Sequence, residues 1–271
     1  MGAWNWSVSS SRRLASCPKA FHFGEGGGEW HGSRSPLIPI GALPGLIVHS
    51  AISETLDLWA SGSTASPLTI TKRAQHSLAE TWKARTNRIA EFANGLEMDN
   101  RTLETASKTV DGCLERFFSV VWPQFSLCRH VEHETLHIFH IGSQSVTVRP
   151  DLACWGPDGD LWIVEWKTGG WSSEYSGRIQ LATYALWAVQ ELGIELERLL
   201  PMTVGLRSGS ITRFRPVDED LSLVREMIAS DRKKVAGYAR GSTFPASAEP
   251  SRCSACPFLW NCAEGTDCIG L

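Results

Sequence analysis

The stretch that decides the fold runs Val146-Thr147-Val148-Arg149-Pro150-Asp151-Leu152, then Gly156-Pro157-Asp158-Gly159-Asp160, then Leu161-Trp162-Ile163-Val164-Glu165-Trp166-Lys167. Pro157-Asp158-Gly159 suits a three-residue hairpin loop, a type I turn followed by Gly159 in the left-handed conformation. If residues 156 and 160 close that loop, Asp151 falls directly opposite Glu165. Facing residues share one side of a sheet with Cβ atoms about 5 Å apart. Lys167, two residues further on, points to the same side. An exposed hairpin with charges on its wet face is the bland alternative. It explains Glu165 and Lys167 poorly, because Leu161 to Val164 is a continuous apolar run. A charge within a buried strand needs a partner or a metal.

Two carboxylates so close repel unless something positive lies between them. A hard divalent cation with oxygen ligands, Mg²⁺ or Mn²⁺, meets that need. Such an ion lowers the pKa of bound water and neutralises charge on a phosphate. Lys167 could orient that water or stabilise a negative transition state.

Outward from this hairpin, the expectation is α/β. The Ser7–Ser11 cluster opens a helix over 7–20, and a Gly- and Pro-rich loop runs from 24 to 45. Helices follow at 46–60 and within 72–120, the latter broken near Asn94-Gly95 and Asp99-Asn100. Two strands are expected over about 134–154 and a third at 161–167. A helix at 176–192, a hairpin at 202–216 turning near Ser208-Gly209, and a helix at 217–238 complete the list. A Pro-rich tail carries the last cysteines. No phosphate-loop motif of the Gly-x-x-x-x-Gly-Lys-Ser/Thr type occurs.

With 42% hydrophobic and 20% charged residues, the composition is that of a globular protein. No apolar run approaches the roughly 20 residues of a membrane span. The opening Met1-Gly2-Ala3-Trp4-Asn5-Trp6 lacks the order of a signal peptide, so a cytoplasmic location is expected. A net charge of −3 confines any polyanion binding to local patches, since phosphate contacts need Lys or Arg in place. Arg12, Arg13 and Lys19 form one candidate DNA-binding patch, and Arg232, Lys233 and Lys234 another; solvated helix faces are the alternative for both.

Pro150-Asp151…Glu165-Trp166-Lys167 resembles the Pro-Asp…Asp/Glu-x-Lys signature of PD-(D/E)XK nucleases, and Thr168-Gly169 continues it as in RecB-type nuclease domains. Gly45-Leu46-Ile47-Val48-His49 is similar to their early-helix His motif. Gln180-Leu181-Ala182-Thr183-Tyr184 is similar to their Gln-x-x-x-Tyr motif, whose spacing puts both side chains on one helix face. The resemblance implies a restriction-endonuclease-like mixed sheet flanked by helices. It further implies that His49, Asp151, Glu165 and the Trp166 carbonyl hold Mg²⁺ or Mn²⁺, that Lys167 serves the water, and that Gln180 and Tyr184 position Lys167 or the strand. Two departures stand out: Val148-Arg149-Pro150 lacks the usual Gly before the Asp, and Glu165 replaces the more common Asp.

Eight cysteines in a chain without a secretory signal read as thiols or metal ligands rather than disulfides. Cys253-x-x-Cys256-x5-Cys262 offers three soft-metal ligands, and by spacing alone either zinc or an iron–sulfur cluster fits. Cys17 and Cys268 compete for the fourth place; Cys113, Cys128 and Cys154 read as small core residues. Ser16-Cys17-Pro18 and the tail with Pro257-Phe258-Leu259-Trp260 are similar to AddB and CRISPR-adaptation nucleases. That likeness implies one [4Fe–4S] cluster on Cys17, Cys253, Cys256 and Cys262.

The expected organisation is one nuclease domain over 1–271. Within it, 1–25 and 240–271 form the iron–sulfur lobe, 60–130 a helical insertion, and 131–216 the catalytic core. The expected activity is metal-dependent hydrolysis of DNA, on single-stranded or end-bearing substrates, beside a helicase or CRISPR-defence partner. A non-cleaving DNA-end-binding subunit of a helicase or CRISPR-integration complex is the alternative. It needs a decayed site, whereas Asp151, Glu165 and Lys167 are all present. A zinc-stabilised interaction domain is a third possibility and requires the hairpin match to be accidental.

Overall fold

A computed structural model describes residues 4–25, 37–96, 99, 101–169 and 174–271. Most of the expected glycine loop, at 26–36, lies outside these residues.

Helix α1 (Val8–Ser16) opens on a reciprocal cap: the Ser7 hydroxyl accepts from the Ser10 N–H and the Ser10 hydroxyl from the Ser7 N–H. The single helix expected over 7–20 is in fact two. Cys17 is extended (φ −156°, ψ 103°), because the ring of Pro18 disfavours a helical residue before it, and α2 (Pro18–Gly24) starts afresh. Helix α3 (Leu43–Ala60) begins three residues earlier than the periodicity indicated, with Pro44 in its first turn where the missing N–H costs nothing. Then come α4 (Pro67–Lys83), the short α5 (Arg85–Arg88) and α6 (Ala90–Ala93), and α7 (Arg101–Arg116). α7 runs through a π-turn at Phe117–Val121 into α8 (Trp122–Phe125).

The strands are β1 (Arg129–Glu132), β2 (His137–Ile141), β3 (Gln144–Val148), β4 (Leu152–Trp155) and β5 (Leu161–Lys167). Two strands were expected before β5, and the structure has four. β1 lies before the expected range, a turn at Gly142 (φ +58°) parts β2 from β3, and Pro150, which lacks a donor, parts β3 from β4. β2 and β3 form a separate two-stranded sheet, and after Pro150 the chain enters the main sheet as β4. Helix α9 (Glu174–Leu192) leads to β6 (Leu199–Gly205) and β7 (Ser210–Arg213), followed by α10 (Asp218–Arg240). The Pro-rich tail folds into two short helices, α11 (Pro250–Ser254) and α12 (Ala263–Ile269).

The main sheet has the order β1-β4-β5-β6-β7, with β5 and β6 parallel and the other pairs antiparallel. It is therefore a mixed sheet flanked by helices. In the β4–β5 hairpin Leu152 pairs with Val164 and Trp155 with Leu161, which is the register expected from the loop. Gly159 has φ +82° and its N–H bonds the Gly156 carbonyl at 3.0 Å, closing that loop.

Alternation along β5 sorts its side chains onto two cores. Trp162, Val164 and Trp166 pack with α3, α4 and α7 through Val48, Ile52, Leu78 and Leu114. Leu161 and Ile163 pack beneath α9 with Trp6, Val146, Val148 and the α10 residues Leu221 and Val224. Glu165 and Lys167 continue this second face, beyond the point where apolar cover ends. Cys113, Cys128 and Cys154 are buried in the first core, as expected.

The N-terminal segment is tied down by Asp231, 4% exposed on α10. Its Oδ2 accepts from the Trp6 indole N–H at 3.0 Å and the Ser11 hydroxyl at 2.6 Å. Asp231→Ala orphans both buried donors and should cost about 2–4 kcal/mol of unfolding free energy. Lys234→Ala, removing a half-exposed partner 3.4 Å away, should cost less than about 0.5 kcal/mol. Urea denaturation of the two variants checks both values.

Candidate active site

The end of β5, the Arg149-Pro150-Asp151 crossover, the first turns of α3 and the middle of α9 enclose one pocket. His49, Glu134, Asp151, Glu165, Lys167, Gln180 and Tyr184 all line it. The five catalytic residues expected from sequence, and His49, are thus brought together.

Asp151 is 6% exposed. Its Oδ2 accepts the Trp166 backbone N–H at 2.6 Å, and its Oδ1 lies 3.2 Å from His49 Nδ1. Glu165, 8% exposed, has both oxygens engaged: Lys167 Nζ donates to Oε1 at 2.7 Å and the Tyr184 hydroxyl to Oε2 at 2.6 Å. Lys167 Nζ also donates to Gln180 Oε1 at 3.0 Å, and Gln180 Nε2 donates to the Tyr184 oxygen at 3.1 Å. A closed ring of hydrogen bonds therefore holds the ammonium. Its members sit two apart on a strand (Glu165, Lys167) and four apart on a helix (Gln180, Tyr184), the spacings that put side chains on one face of each element.

Glu134 was not singled out from the sequence. It sits in the turn between β1 and β2, at φ +48°, a backbone region that non-glycine residues rarely adopt. Its N–H bonds the Pro150 carbonyl at 3.0 Å, and its carboxylate lies 3.8 Å from His49 and 3.2 Å from Arg149. Among the described residues, His49, Glu134 and Asp151 form the one set of three possible ligands within 4.8 Å of one another. The one sequence signal was the acidic run Glu132-His133-Glu134, which carries no motif. Glu165 lies outside that set. The expected ligand Trp166 contributes its N–H to Asp151, while its ring packs on Phe117 and Phe125.

The charges here are strongly interdependent. Burial and the nearby Glu165 carboxylate push Asp151 up to about 7, with His49 acting against them. Burial alone would lower His49, but the charge and hydrogen bond of Asp151, helped by Glu134, raise it to about 10. Burial would raise Glu134, yet its hydrogen bond to His49 and the charge of Arg149 hold it below the ordinary range. Burial and the Glu165 charge push Tyr184 well up, so its hydroxyl remains a donor. One nitrogen and two carboxylates, converging where a proton now offsets the negative charge, suit a divalent cation.

A second cavity, almost wholly apolar, is lined by Cys17, Cys253, Cys256 and Cys262 together with Phe23, Phe258, Leu259 and Gly265. The Ser247 N–H donates to Cys17 Sγ at 3.4 Å, and backbone N–H groups of Phe258 and Gly265 serve Cys256 and Cys262. Burial, with the neighbouring thiols, pushes Cys256 up to about 11. Cys268 hydrogen-bonds Cys253 from outside this cavity. Of the expected DNA-binding residues, Arg13 pairs with Glu25 and Lys19 with Glu264, and neither they nor Arg12 line the catalytic pocket.

The sheet, the crossover at Pro150 and the carboxylate–lysine ring define a nuclease-type site. The chain belongs to the PD-(D/E)XK nuclease superfamily, whose sequence model matches residues 5–263. A crystal structure of a protein from Eubacterium rectale, assigned as an exonuclease, is similar in fold over 95% of this chain and 87% of that one. The TM-score is 0.51 at 14% identity. The crystal structure of SSO0001 covers 59% of this chain and is covered over 74% of its own, at 18% identity and a TM-score of 0.32, too slight a likeness to bear on the fold. A comparison with curated proteins gave no match. Among the described residues, no helix is long and apolar enough to cross a membrane.

A cation must displace the protons that now neutralise this cluster. Since Asp151 is raised to about 7 and His49 to about 10, Mn²⁺ affinity should climb as pH rises from 6 to 8 and beyond. Calorimetric titration at pH 8, in buffers of differing ionisation enthalpy, should show about one proton released per Mn²⁺. His49→Ala should weaken Mn²⁺ binding, because it removes one of the three converging ligand atoms.

Proposed function

We propose that this chain hydrolyses DNA phosphodiester bonds in a reaction that requires a divalent metal, acting on single-stranded or end-bearing DNA. The observation that carries the proposal is the convergence of His49, Glu134 and Asp151 within 4.8 Å, on the pocket that Lys167 also lines. Residues His49, Glu134 and Asp151 would hold Mg²⁺ or Mn²⁺, with Glu165 and the Trp166 carbonyl as the further ligands implied by the family signature. When bound, such an ion neutralises phosphate charge and activates water. Glu165 and Gln180 aim the Lys167 ammonium at the place where negative charge develops on the phosphate. Tyr184, anchored to Glu165, fixes the helix face that carries Gln180.

The second part of the proposal is a structural [4Fe–4S] cluster on Cys17, Cys253, Cys256 and Cys262. Two observations support it. The four thiols face one apolar cavity, and three of them receive backbone N–H bonds, which favour thiolate charge.

Lys167→Ala should lower cleavage of labelled single strands at least roughly 10²-fold while Mn²⁺ and DNA binding persist. Wild-type cleavage by that variant would sink the assignment of its role. Glu134→Gln should weaken Mn²⁺ binding, which no sequence motif anticipates. Protein prepared without air should be brown with about four irons per chain. Cys17→Ala should lose the iron as fully as Cys256→Ala, and Cys268→Ala should keep it. One zinc in a colourless protein would overturn the cluster and leave the nuclease intact.

A further inference from the structure

We infer that the short helix α6, with Asn94 at its end, is a strap that transmits the placement of the cysteine loop to the start of α3 and hence to His49. The inference rests on the proposed roles of the two sites; the contacts that compose the strap are independent of those roles.

On one flank, Asn94 is 2% exposed and its Nδ2 donates to two carbonyls of the cysteine loop, Ser254 at 2.8 Å and Cys256 at 3.1 Å. The adjacent Ala93 carbonyl accepts the Trp260 indole N–H at 3.2 Å. Cys256 and the turn before Cys262 are thus both fixed on two consecutive residues. On the other flank, Ile38 and Ile89 form a parallel bridge, with the Ile38 N–H on the Arg88 carbonyl at 2.8 Å and the Ala90 N–H on the Ile38 carbonyl at 2.9 Å. The buried Glu91 carboxylate accepts the Ile40 N–H at 2.8 Å.

Ile40 leads within three residues into α3, whose Gly45, Leu46 and His49 line the catalytic pocket. That end of α3 approaches the end of β5 closely. A Cβ on Gly45 would stand 2.8 Å from the hydroxyl of Thr168, the residue after Lys167. A close-packed element cannot absorb a displacement on one side without passing it to the other. Stripping metal from the thiols frees the cysteine loop, and the strap carries that loosening to the helix that presents His49.

A merely structural role would lower stability without linking the sites, so the test measures the link. Mn²⁺ alone is the probe of the catalytic pocket, and amide exchange reports on residues 38–49. Both are measured before and after a chelator strips the thiol-bound metal. In the wild type, stripping should speed exchange at 38–49 and weaken Mn²⁺ roughly fivefold, the effect of one buried hydrogen bond. In Asn94→Ala, Mn²⁺ should already be weaker by that factor, and stripping should add nothing. Trp260→Phe, at an exposed position that folding tolerates, should show the same change in smaller measure. Gln75→Ala, which loses bonds between α4 and α7 but none in the strap, should respond to stripping as the wild type does. The inference fails if stripping affects wild type and Asn94→Ala equally. It fails also if Asn94→Ala keeps wild-type Mn²⁺ affinity and exchange at 38–49. Metal analysis separates the two proposals: a preparation with no metal on its thiols overturns the cluster. The strap is then tested by Asn94→Ala against wild type without stripping.

Discussion

The pairing of β4 with β5 is the constraint on which the rest of the molecule depends. It places two buried carboxylates, Asp151 and Glu165, on one face at the end of a strand whose other residues are apolar. Such a pair is untenable unless positive charge is supplied nearby. α3 supplies it through His49, and β5 itself through Lys167. Helix α9 adds the amide and hydroxyl that keep Lys167 and Glu165 in register. Much of the architecture around the sheet is thus a means of holding charges that the sheet alone could not tolerate.

Asp151 and Glu165 are treated differently despite their symmetry in the hairpin. Glu165 has both oxygens taken by Lys167 and Tyr184, so it acts as the anchor of a hydrogen-bonded ring. Asp151 keeps Oδ1 toward His49 and Glu134. Helix α3, which carries His49, makes the connection between the catalytic pocket and the helical half of the molecule. Its opening turn lies close to Thr168, and Ile40 just before it is bonded to the segment that also holds the cysteine loop. Two sites far apart in sequence are in this way supported by one short segment, 89–94, in which Ile89, Ala90, Glu91 and Asn94 are buried.

The sequence determined the hairpin, and for a local reason: a Pro-Asp-Gly turn and strict alternation leave one register, which fixed Asp151 opposite Glu165 and Lys167 beside them. Gln180 and Tyr184 were marked by their likeness to a family motif, and helical spacing added only that they share a face. Cys17 was marked only by its likeness to related sequences, since nothing local relates residue 17 to residue 253; the fold places both at one cavity. The tertiary structure decided what depends on chain segments meeting. It divided the residues before β5 into four strands, gave the cysteine tail two short helices, and brought Glu134 to His49 and Asp151. Glu134 had no periodicity or motif to mark it. Its place follows from a left-handed turn and a backbone bond to Pro150, both products of long-range packing. Asn94 was hidden for the same reason: in the sequence it marked a helix end, and only the fold shows which carbonyls its amide must satisfy.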